Sequence, residues 1–361
     1  MLYITSREEI NKYREVDALN QSDLKKLLLG MDKFLDNKEV KMTNPMIIGN
    51  AVDTILTGEE EDFENNFYLL NYPKPTDSIS SILEETFNRV ISLNVPSTDL
   101  EDNLDILKEV IISYEYQSNW KLETRINKIL EHTGYYKDLQ NSLGKIILSE
   151  EQKSIIDNIV DSLKNNIITS SYFDRKLYAE NTSWDMYLQL PIYWEYKGVN
   201  CKGLLDIVIV KKDKSGKIER IIPIDLKVVM DKTLSFLNNA KTGRYDIQAA
   251  FYTLGLLSSK DIPFEVNKEN LLNFRFIVES VDTGNPIVYE TSDSFLSVGA
   301  TGLPALWLND GLIRQEVLGY NQLIDLYLYY QEQGWKQEKL IYDNSGFLSL
   351  GWRKFMYENK I

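Results

Sequence analysis

Two acidic residues and one lysine lie within apolar segments that have the character of neighbouring β-strands. Asp206 lies in segment 203–210, and Asp225 and Lys227 lie in segment 221–229. Because side chains alternate along a strand, Asp225 and Lys227 are expected on the same face. Carboxylates in apolar strands are costly to bury unless a cation satisfies them, and a divalent metal is the natural partner. We therefore predict that these three residues form the catalytic centre.

The two segments are joined by a short polar connector, residues 211–217, with Ser215 and Gly216 at its centre. Such a connector between two apolar runs predicts a β-hairpin. If Asp206 lies opposite Asp225 in that hairpin, two carboxylates and one ammonium converge on one spot.

This set of groups suits metal-dependent hydrolysis of a phosphodiester. Carboxylate oxygens favour a hard cation, Mg²⁺ first and Mn²⁺ as the alternative, and the main-chain carbonyl of Leu226 can complete the coordination. Lys227 would orient the attacking water and neutralise the transition state. Taken alone, the Asp225–Lys227 pair also fits an ordinary ion pair at a strand end, so the interpretation depends on the rest of the chain.

The composition excludes several other chemistries. The 361 residues include one cysteine, Cys201, and one histidine, His132. A disulfide framework, a cysteine-ligated zinc site and an iron–sulfur cluster are therefore excluded, and a histidine-based zinc site or a Ser-His-Asp triad is not expected. Catalysis must depend on Asp, Glu, Lys and Tyr.

The net charge of −14 argues against general binding of phosphates, but the charge is uneven. Residues 197–244 contain eleven Lys or Arg and five Asp or Glu. A basic segment in an acidic protein suits a confined channel for a polyanion, although Lys211, Lys212 and Lys214 also fit a solvated hairpin tip. No signal-peptide h-region and no apolar stretch long enough to span a bilayer are found, so we expect a soluble, cytoplasmic protein without membrane contact.

The pattern of apolar residues and turn signals predicts four segments. They are an N-terminal helical part of the core (1–72), an acidic helical insertion or arm (73–175), a catalytic α/β core (176–295) and a C-terminal helical extension (296–361). The predicted helices are 24–29, 46–57, 78–93, 100–114, 120–131, 150–165, 233–240, 245–258 and 311–333. The predicted strands are 186–196, 203–210, 221–229, 273–279 and 287–290. A mixed central sheet flanked by helices is the expected core.

Several short patterns in this order are more specific than any one of them. They are L-N-Q-S-D-L-K at 19–25, G-N-A-V-D at 49–53, C-K-G-L-L-D at 201–206, D-L-K at 225–227, Q-A-A-F-Y at 248–252 and F-R-F-I-V-E at 274–279. With them, the chain resembles the PD-(D/E)xK nuclease superfamily, and within it the phage recombination exonucleases of the exonuclease VIII type, the RecE-like group. The resemblance covers neither residues 73–175 well nor the last 50 residues.

The resemblance implies a restriction-endonuclease-like α/β core and a Mg²⁺-dependent deoxyribonuclease. It implies 5′-to-3′ degradation of linear duplex DNA, a single-strand annealing protein as partner, and a ring-shaped homo-oligomer in the cytoplasm of a host cell. An endonuclease on the same core is one alternative. A catalytically idle module that binds DNA or regulates is the other.

Residue roles follow from the matched positions. Asp206, Asp225 and the Leu226 carbonyl would hold the metal, and Lys227 would activate or position water. Gln248 and Tyr252, which are four residues apart on one helix face, would support substrate placement by holding the DNA backbone or orienting Lys227, with ordinary core packing as the alternative for Tyr252.

One matched position departs from the family pattern. Asp53 stands where the family has histidine. Aspartate also ligates Mg²⁺, so Asp53 is expected to assist metal binding, with capping or pairing with a lysine as its alternative.

Further residues are expected to contact DNA. Ser22 resembles a residue that contacts a terminal phosphate, although helix capping explains it equally well. The other expected contacts are Lys202, Lys241, Arg244 and Tyr245.

Overall fold

The protein is a mixed α/β structure in which helices flank a six-stranded mixed sheet, as the sequence predicts. The computed structural model describes residues 1–36, 42–282, 284–308, 311–314 and 316–336. The arrangement is compatible with the restriction-endonuclease-like core expected from the sequence.

The strands are β1 (Leu2–Ile4), β2 (Phe67–Leu69), β3 (Ile146–Leu148), β4 (Trp184–Tyr196), β5 (Val199–Lys212), β6 (Ile218–Val229), β7 (Arg275–Ser280), β8 (Ile287–Glu290), β9 (Leu306–Leu308) and β10 (Gly311–Arg314). The helices up to residue 165 are α1 (Arg7–Glu15), α2 (Gln21–Leu27), α3 (Met31–Leu35), α4 (Asn44–Thr57), α5 (Asp62–Asn66), α6 (Asp77–Ser92), α7 (Leu104–Ser113), α8 (Leu122–Leu130), α9 (Thr133–Asn141) and α10 (Glu150–Asn165). They are followed by α11 (Ser170–Phe173), α12 (Arg175–Glu180), α13 (Phe236–Thr242), α14 (Tyr245–Ser258), α15 (Asp293–Thr301) and α16 (Tyr320–Glu332). Glu101–Asn103 and Thr233–Ser235 are short 3₁₀ helices.

The sheet has the order β1-β4-β5-β6-β7-β8. Strands β4, β5 and β6 form a long antiparallel meander, β1 and β7 add in parallel to β4 and β6, and β8 closes the edge in an antiparallel orientation. The predicted hairpin of β5 and β6 is confirmed. Its turn is closed by Asp213, whose side chain accepts from the main-chain N–H groups of Ser215 and Lys217, while Gly216 has a φ of 87°.

The sheet is covered by a separate hydrophobic cluster on each face. One cluster joins α2, α14 and α16 to residues such as Val208 and Val210, and the other joins α4 and α10 to Ile207 and Ile209. The alternation of these neighbours along β5 is what the two-residue period of a strand requires. Helices α4 and α14 therefore approach the sheet from opposite sides.

Part of the predicted helical insertion has its own core. Buried residues between Leu70 and Leu139, including Tyr135 and Tyr136, form a third hydrophobic cluster. The chain leaves and rejoins the rest of the protein through the parallel pair β2–β3. The buried carboxylate of Asp138 ties this stem to α9, since it accepts from the main-chain N–H groups of Asn71 and Tyr72 at 2.9 and 2.7 Å.

Helix α10 lies inside the segment that the sequence assigns to the insertion, yet it packs on the sheet. Ile156, Ile159 and Leu163 belong to the same cluster as α4. The separate core thus covers about residues 70–147. The predicted boundaries at 73 and 175 stay predictions.

The prediction of a continuous helix over 311–333 is wrong in its first part. Residues 311–314 form strand β10, which pairs with β9, and a bridge between Leu303 and Val317 continues the extended chain. This pairing gives the main-chain N–H and C=O groups hydrogen-bond partners on another segment. The local periodicity of apolar residues does not predict such a pairing. Helix α16 begins only at Tyr320, and residues 337–361 of the predicted C-terminal extension lie outside the described residues.

Among the described residues, no helix combines the length and the apolar character that crossing a membrane requires.

Gly203 permits the close packing of α14 on β5. A Cβ atom at this position would lie 2.9 Å from Cε1 of Tyr252. We expect Gly203→Ala to lower the free energy of unfolding by about 1–3 kcal/mol because the Tyr252 ring would have to shift. Urea unfolding measures this change.

Gly49→Ala is the matched control, because a Cβ atom there meets no atom within 4 Å. It should be neutral or stabilise helix α4 by up to about 1 kcal/mol. Equal destabilisation by both substitutions would contradict the packing role of Gly203.

Candidate active site

Asp206 and Asp225 lie where the pairing of β5 with β6 stops. The last paired residues are Ile207 and Ile224, and the two acids occupy the next position in the same register. The pairing of β4 with β5 also skips this position, between the pairs Leu188–Ile207 and Leu190–Leu205. The predicted convergence of the acids is thus produced by a local opening of the sheet.

Asp225 is the centre of a buried polar network. One carboxylate oxygen, Oδ1, accepts a hydrogen bond from Nε2 of Gln248 at 2.5 Å. The other, Oδ2, forms an ion pair with Nζ of Lys227 at 2.5 Å and makes no hydrogen bond among the described residues. Asp225 and Gln248 are each 4% exposed, whereas the Lys227 side chain is 22% exposed. The side chain of Lys227 is thus the member of this network that reaches solvent.

Asp206 is held by the main chain of the neighbouring strand. Its Oδ2 accepts from the N–H of Leu226 at 2.8 Å. Since the strands no longer pair here, the carboxylate replaces the strand partner that this N–H would otherwise have. The contact also fixes Leu226, whose carbonyl is the predicted metal ligand.

Asp53 reaches the same cleft from helix α4 and is held by two residues that sequence reasoning missed. Nε2 of Gln189 donates to Oδ2 of Asp53 at 3.1 Å, and the Thr57 hydroxyl donates to Oδ1 at 3.0 Å. Gln189 has a φ of 53°, an uncommon conformation for a residue other than glycine. A signal was present, because Gln189 is a polar residue within the apolar run 186–192.

The sequence-predicted catalytic residues line one cleft of about 450 Å³. Strands β5 and β6 contribute Leu204, Asp206, Asp225, Leu226, Lys227 and Val228, and the remaining wall residues come from helices on both sides of the sheet. These helix residues are Gln21 of α2, Pro45, Met46, Gly49, Asn50 and Asp53 of α4, and Gln248 and Tyr252 of α14.

Burial disfavours the charged forms of two acids in the cleft. Burial is the largest cause that raises the pKa of Asp206 well above its ordinary value, and the charges of Asp225 and Asp53 add to it. Burial likewise raises the pKa of Asp53 to about 6, although the hydrogen bond from Thr57 opposes this shift. Ionisation of both acids is therefore less favourable in the folded protein than in the unfolded chain.

Lys227 remains a cation. Burial opposes the charge of its ammonium, but the Asp225 and Asp206 carboxylates outweigh burial and hold the pKa above its ordinary value. The ammonium also lies 5.1 Å from the ring centroid of Tyr245. Burial, followed by nearby acidic groups, raises the pKa of Tyr252, so its hydroxyl stays protonated. Neither residue is suited to take up a proton at neutral pH.

The donor set has the chemistry that Mg²⁺ requires. Asp53, Asp206, Asp225 and the Leu226 carbonyl offer oxygen ligands, and the acids outnumber the ammonium of Lys227. Among the described residues, however, no group of three or more Asp, Glu, His or Cys side chains is close enough to hold a metal ion. The carboxylates instead make the hydrogen bonds described above, and an ion would have to replace some of them. The metal site stays a prediction.

Two side chains that are predicted to contact DNA instead bind other groups of the protein. Nζ of Lys202 donates to the main-chain carbonyls of Tyr13, Arg14 and Val16 at distances of 2.6–3.3 Å, which closes the end of helix α1. The guanidinium of Arg244 pairs with Asp246 at 2.9 Å. These contacts favour structural roles for Lys202 and Arg244 over the predicted contacts with DNA.

The other predicted DNA contacts differ in their positions. Ser22 is exposed, and its hydroxyl donates to Oδ1 of Asn20, which caps helix α2. Lys241 is exposed in the last turn of α13. Tyr245 stacks on Phe236 and faces the ammonium of Lys227. Of this set, Tyr245 contacts the cleft residues directly, and the DNA-binding roles stay predictions.

The lysines of the hairpin tip are separated from the site. Lys211 pairs with Glu219 at 2.6 Å, Lys212 pairs with Asp185, and Lys214 is exposed. The six residues from Asp206 to the end of β5 span about 20 Å. The tip therefore does not line the cleft, which favours the solvated-tip alternative over a basic channel there.

Comparison with known proteins finds similarity among solved structures. No protein-family model matches the chain, and no curated protein matches it. The crystal structure of a "putative exonuclease" from Eubacterium rectale is similar over 81% of this chain and 80% of its own, with 13% identity and a TM-score of 0.39. Its name falls in the nuclease class, but a likeness at this TM-score carries no argument about activity. The RecE-like assignment stays a prediction from the sequence.

The raised pKa of Asp53 predicts how the stability of the folded protein depends on pH. An acid whose pKa is higher in the folded than in the unfolded state binds more protons when folded, so stability falls as the pH rises from about 4 to about 6. In EDTA, Asp53→Asn should remove this loss and raise the free energy of unfolding at pH 7 by about 1–3 kcal/mol. Urea unfolding at pH 4.5 and pH 7 measures the difference from the wild type.

Asp161→Asn is the control, because Asp161 is exposed on α10. It should leave the pH profile unchanged. If Asp53→Asn were less stable than the wild type at pH 7, the burial of a charged Asp53 would not be the cost described here.

Proposed function

We propose that the protein is a Mg²⁺-dependent deoxyribonuclease that hydrolyses phosphodiester bonds of DNA in this cleft. The observation that carries the proposal is the ion pair of buried Asp225 with Lys227 beside Asp206, placed at an opening of the sheet with Asp53 across the cleft. A plain strand-end ion pair does not need two further carboxylates in the same cleft. A metal-dependent phosphodiesterase needs them as ligands.

The residues of the cleft would have different roles in the hydrolysis. Bound Mg²⁺ supplies positive charge that polarises the scissile phosphate and favours ionisation of the attacking water. Lys227, which stays protonated, neutralises the charge that develops on the phosphate oxygens and holds the water in line. Gln248 fixes the Asp225 carboxylate through Oδ1, and Tyr252 supports that helix face. The water oxygen bonds to phosphorus as the bond to the leaving oxygen breaks, and the proton that the water releases to solvent is balanced by the proton that the leaving oxygen takes up.

The finer assignment rests on the resemblance of the short sequence patterns. It proposes a 5′-to-3′ exonuclease on linear duplex DNA in phage-type recombination, acting as a ring-shaped homo-oligomer with a single-strand annealing protein. An endonuclease on the same core is the alternative within enzymes. An idle DNA-binding or regulatory module is favoured by one observation, since the described acids are not preassembled around a metal position.

Cleavage assays distinguish these candidates. We expect end-labelled linear duplex DNA to be degraded with Mg²⁺ or Mn²⁺ and to persist in EDTA, while covalently closed circular DNA stays intact. Loss of the circle would favour an endonuclease. Absence of cleavage with every divalent ion tested would reject the proposed hydrolysis and leave the idle module.

Removing the ammonium tests the role of Lys227. Lys227→Ala should lower kcat by at least about 100-fold while DNA binding persists, because the charge acts on the transition state. Single-turnover cleavage and fluorescence anisotropy measure the two effects.

Lys214→Ala in the same hairpin is the control, since Lys214 is exposed beyond the end of β5. It should cleave like the wild type. Full activity of Lys227→Ala would rule out the assigned role.

A further inference from the structure

Helix α2 faces the cleft with residues other than the predicted Ser22. Gln21 lines the cleft, and its buried Oε1 has no hydrogen-bond partner among the described residues. Lys25 lies four residues later and therefore on the same face of the helix. Ser22 is rotated away from that face and is exposed.

The Lys25 ammonium lies over the ring on which the Lys227 ammonium also lies. The distances from the two Nζ atoms to the Tyr245 centroid are 4.8 Å and 5.1 Å. A cation can be stabilised by an aromatic face, but two ammoniums on one ring also repel each other. This repulsion lowers the stability of the folded protein, and a lysine with only a structural role would not be expected to cause it.

Lys25 has no carboxylate partner to offset that cost. Among the described residues, no Asp or Glu oxygen lies within 4.0 Å of its Nζ, whereas Lys227 has Asp225 and Arg244 has Asp246. Burial, followed by the charge of Lys227, lowers the pKa of Lys25 to about 8. The charges of Asp225 and Asp246 oppose this shift without reversing it, so the negative charge around the Lys25 ammonium does not fully balance it.

We propose that Lys25 is a positioning residue that binds a phosphate of the DNA backbone beside the cleft. The proposal rests on the proposed function. A phosphate beside the Tyr245 ring would supply negative charge to the Lys25 ammonium and offset its repulsion by Lys227. Lys25 would thus act on binding, and Lys227 on the chemical step.

The test compares Lys25→Met with Lys26→Met. Methionine keeps the apolar stem but removes the charge. Lys26 is the next residue, is exposed, and pairs with Asp23 at 3.5 Å on the outer side of α2. Binding of two fluorescein-labelled linear duplexes of unrelated sequence is measured by anisotropy in Ca²⁺ or EDTA over a range of salt concentrations, and cleavage is measured in Mg²⁺.

We expect Lys25→Met to weaken binding about tenfold on both duplexes and to reduce the slope of log K against log salt by about one, the mark of one lost phosphate contact. Its KM should rise with little change in kcat. Lys25→Arg should keep the binding, and Lys26→Met should behave like the wild type. The midpoint of thermal unfolding of Lys25→Met should not fall, because a like-charge neighbour has been removed.

The outcomes separate this inference from the proposed function. If the wild type cleaves DNA and Lys25→Met binds, cleaves and depends on salt as the wild type does, the role of Lys25 is rejected and the nuclease stands. Equal losses in Lys25→Met and Lys26→Met, or a loss that follows a lower unfolding temperature, also reject it. If the wild type binds DNA but cleaves none, and Lys25→Met alone loses binding, Lys25 keeps its role and the nuclease is rejected. A wild type that binds no DNA rejects both.

Discussion

The opening of the sheet at Asp206 is the constraint on which the site depends. At this position β5 pairs neither with β4 nor with β6, so the Asp206 carboxylate takes the Leu226 N–H that a strand partner would have taken. The same opening lets α4 and α14, which cover opposite faces, contribute side chains to one cleft. In a fully paired sheet, Asp53 and Gln248 would be separated by the strands.

Charge is the second constraint. Three acidic side chains and the Lys227 ammonium share one cleft, and burial shifts the pKa of Asp53 and Asp206 upward. The raised pKa of Asp53 makes the folded protein less stable as the pH rises through about 6, and such perturbed groups are common at functional sites. Two more residues beside the cleft are in locally unfavourable arrangements. Gln189 has a positive φ, and the Lys25 ammonium shares the Tyr245 ring with a second ammonium.

The helices around the site divide between positioning and support. Lys202 closes α1 and Arg244 braces the start of α14, so two of the basic residues near the motifs hold the scaffold. Gly203 brings the Tyr252 ring against β5. The cluster of residues 70–147 has its own core and joins the rest of the protein through the β2–β3 pair.

The sequence by itself determined the hairpin, the helices 150–165 and 245–258, and the convergence of Asp206, Asp225 and Lys227, because strand alternation and turn chemistry are local properties. It did not reveal strand β10 or the packing of α10 on the sheet, since both depend on partners distant along the chain. Only the tertiary structure decided which lysines face the cleft. A lysine's role depends on what surrounds its ammonium: carbonyls for Lys202, a carboxylate for Lys227, and an aromatic ring without an anion for Lys25.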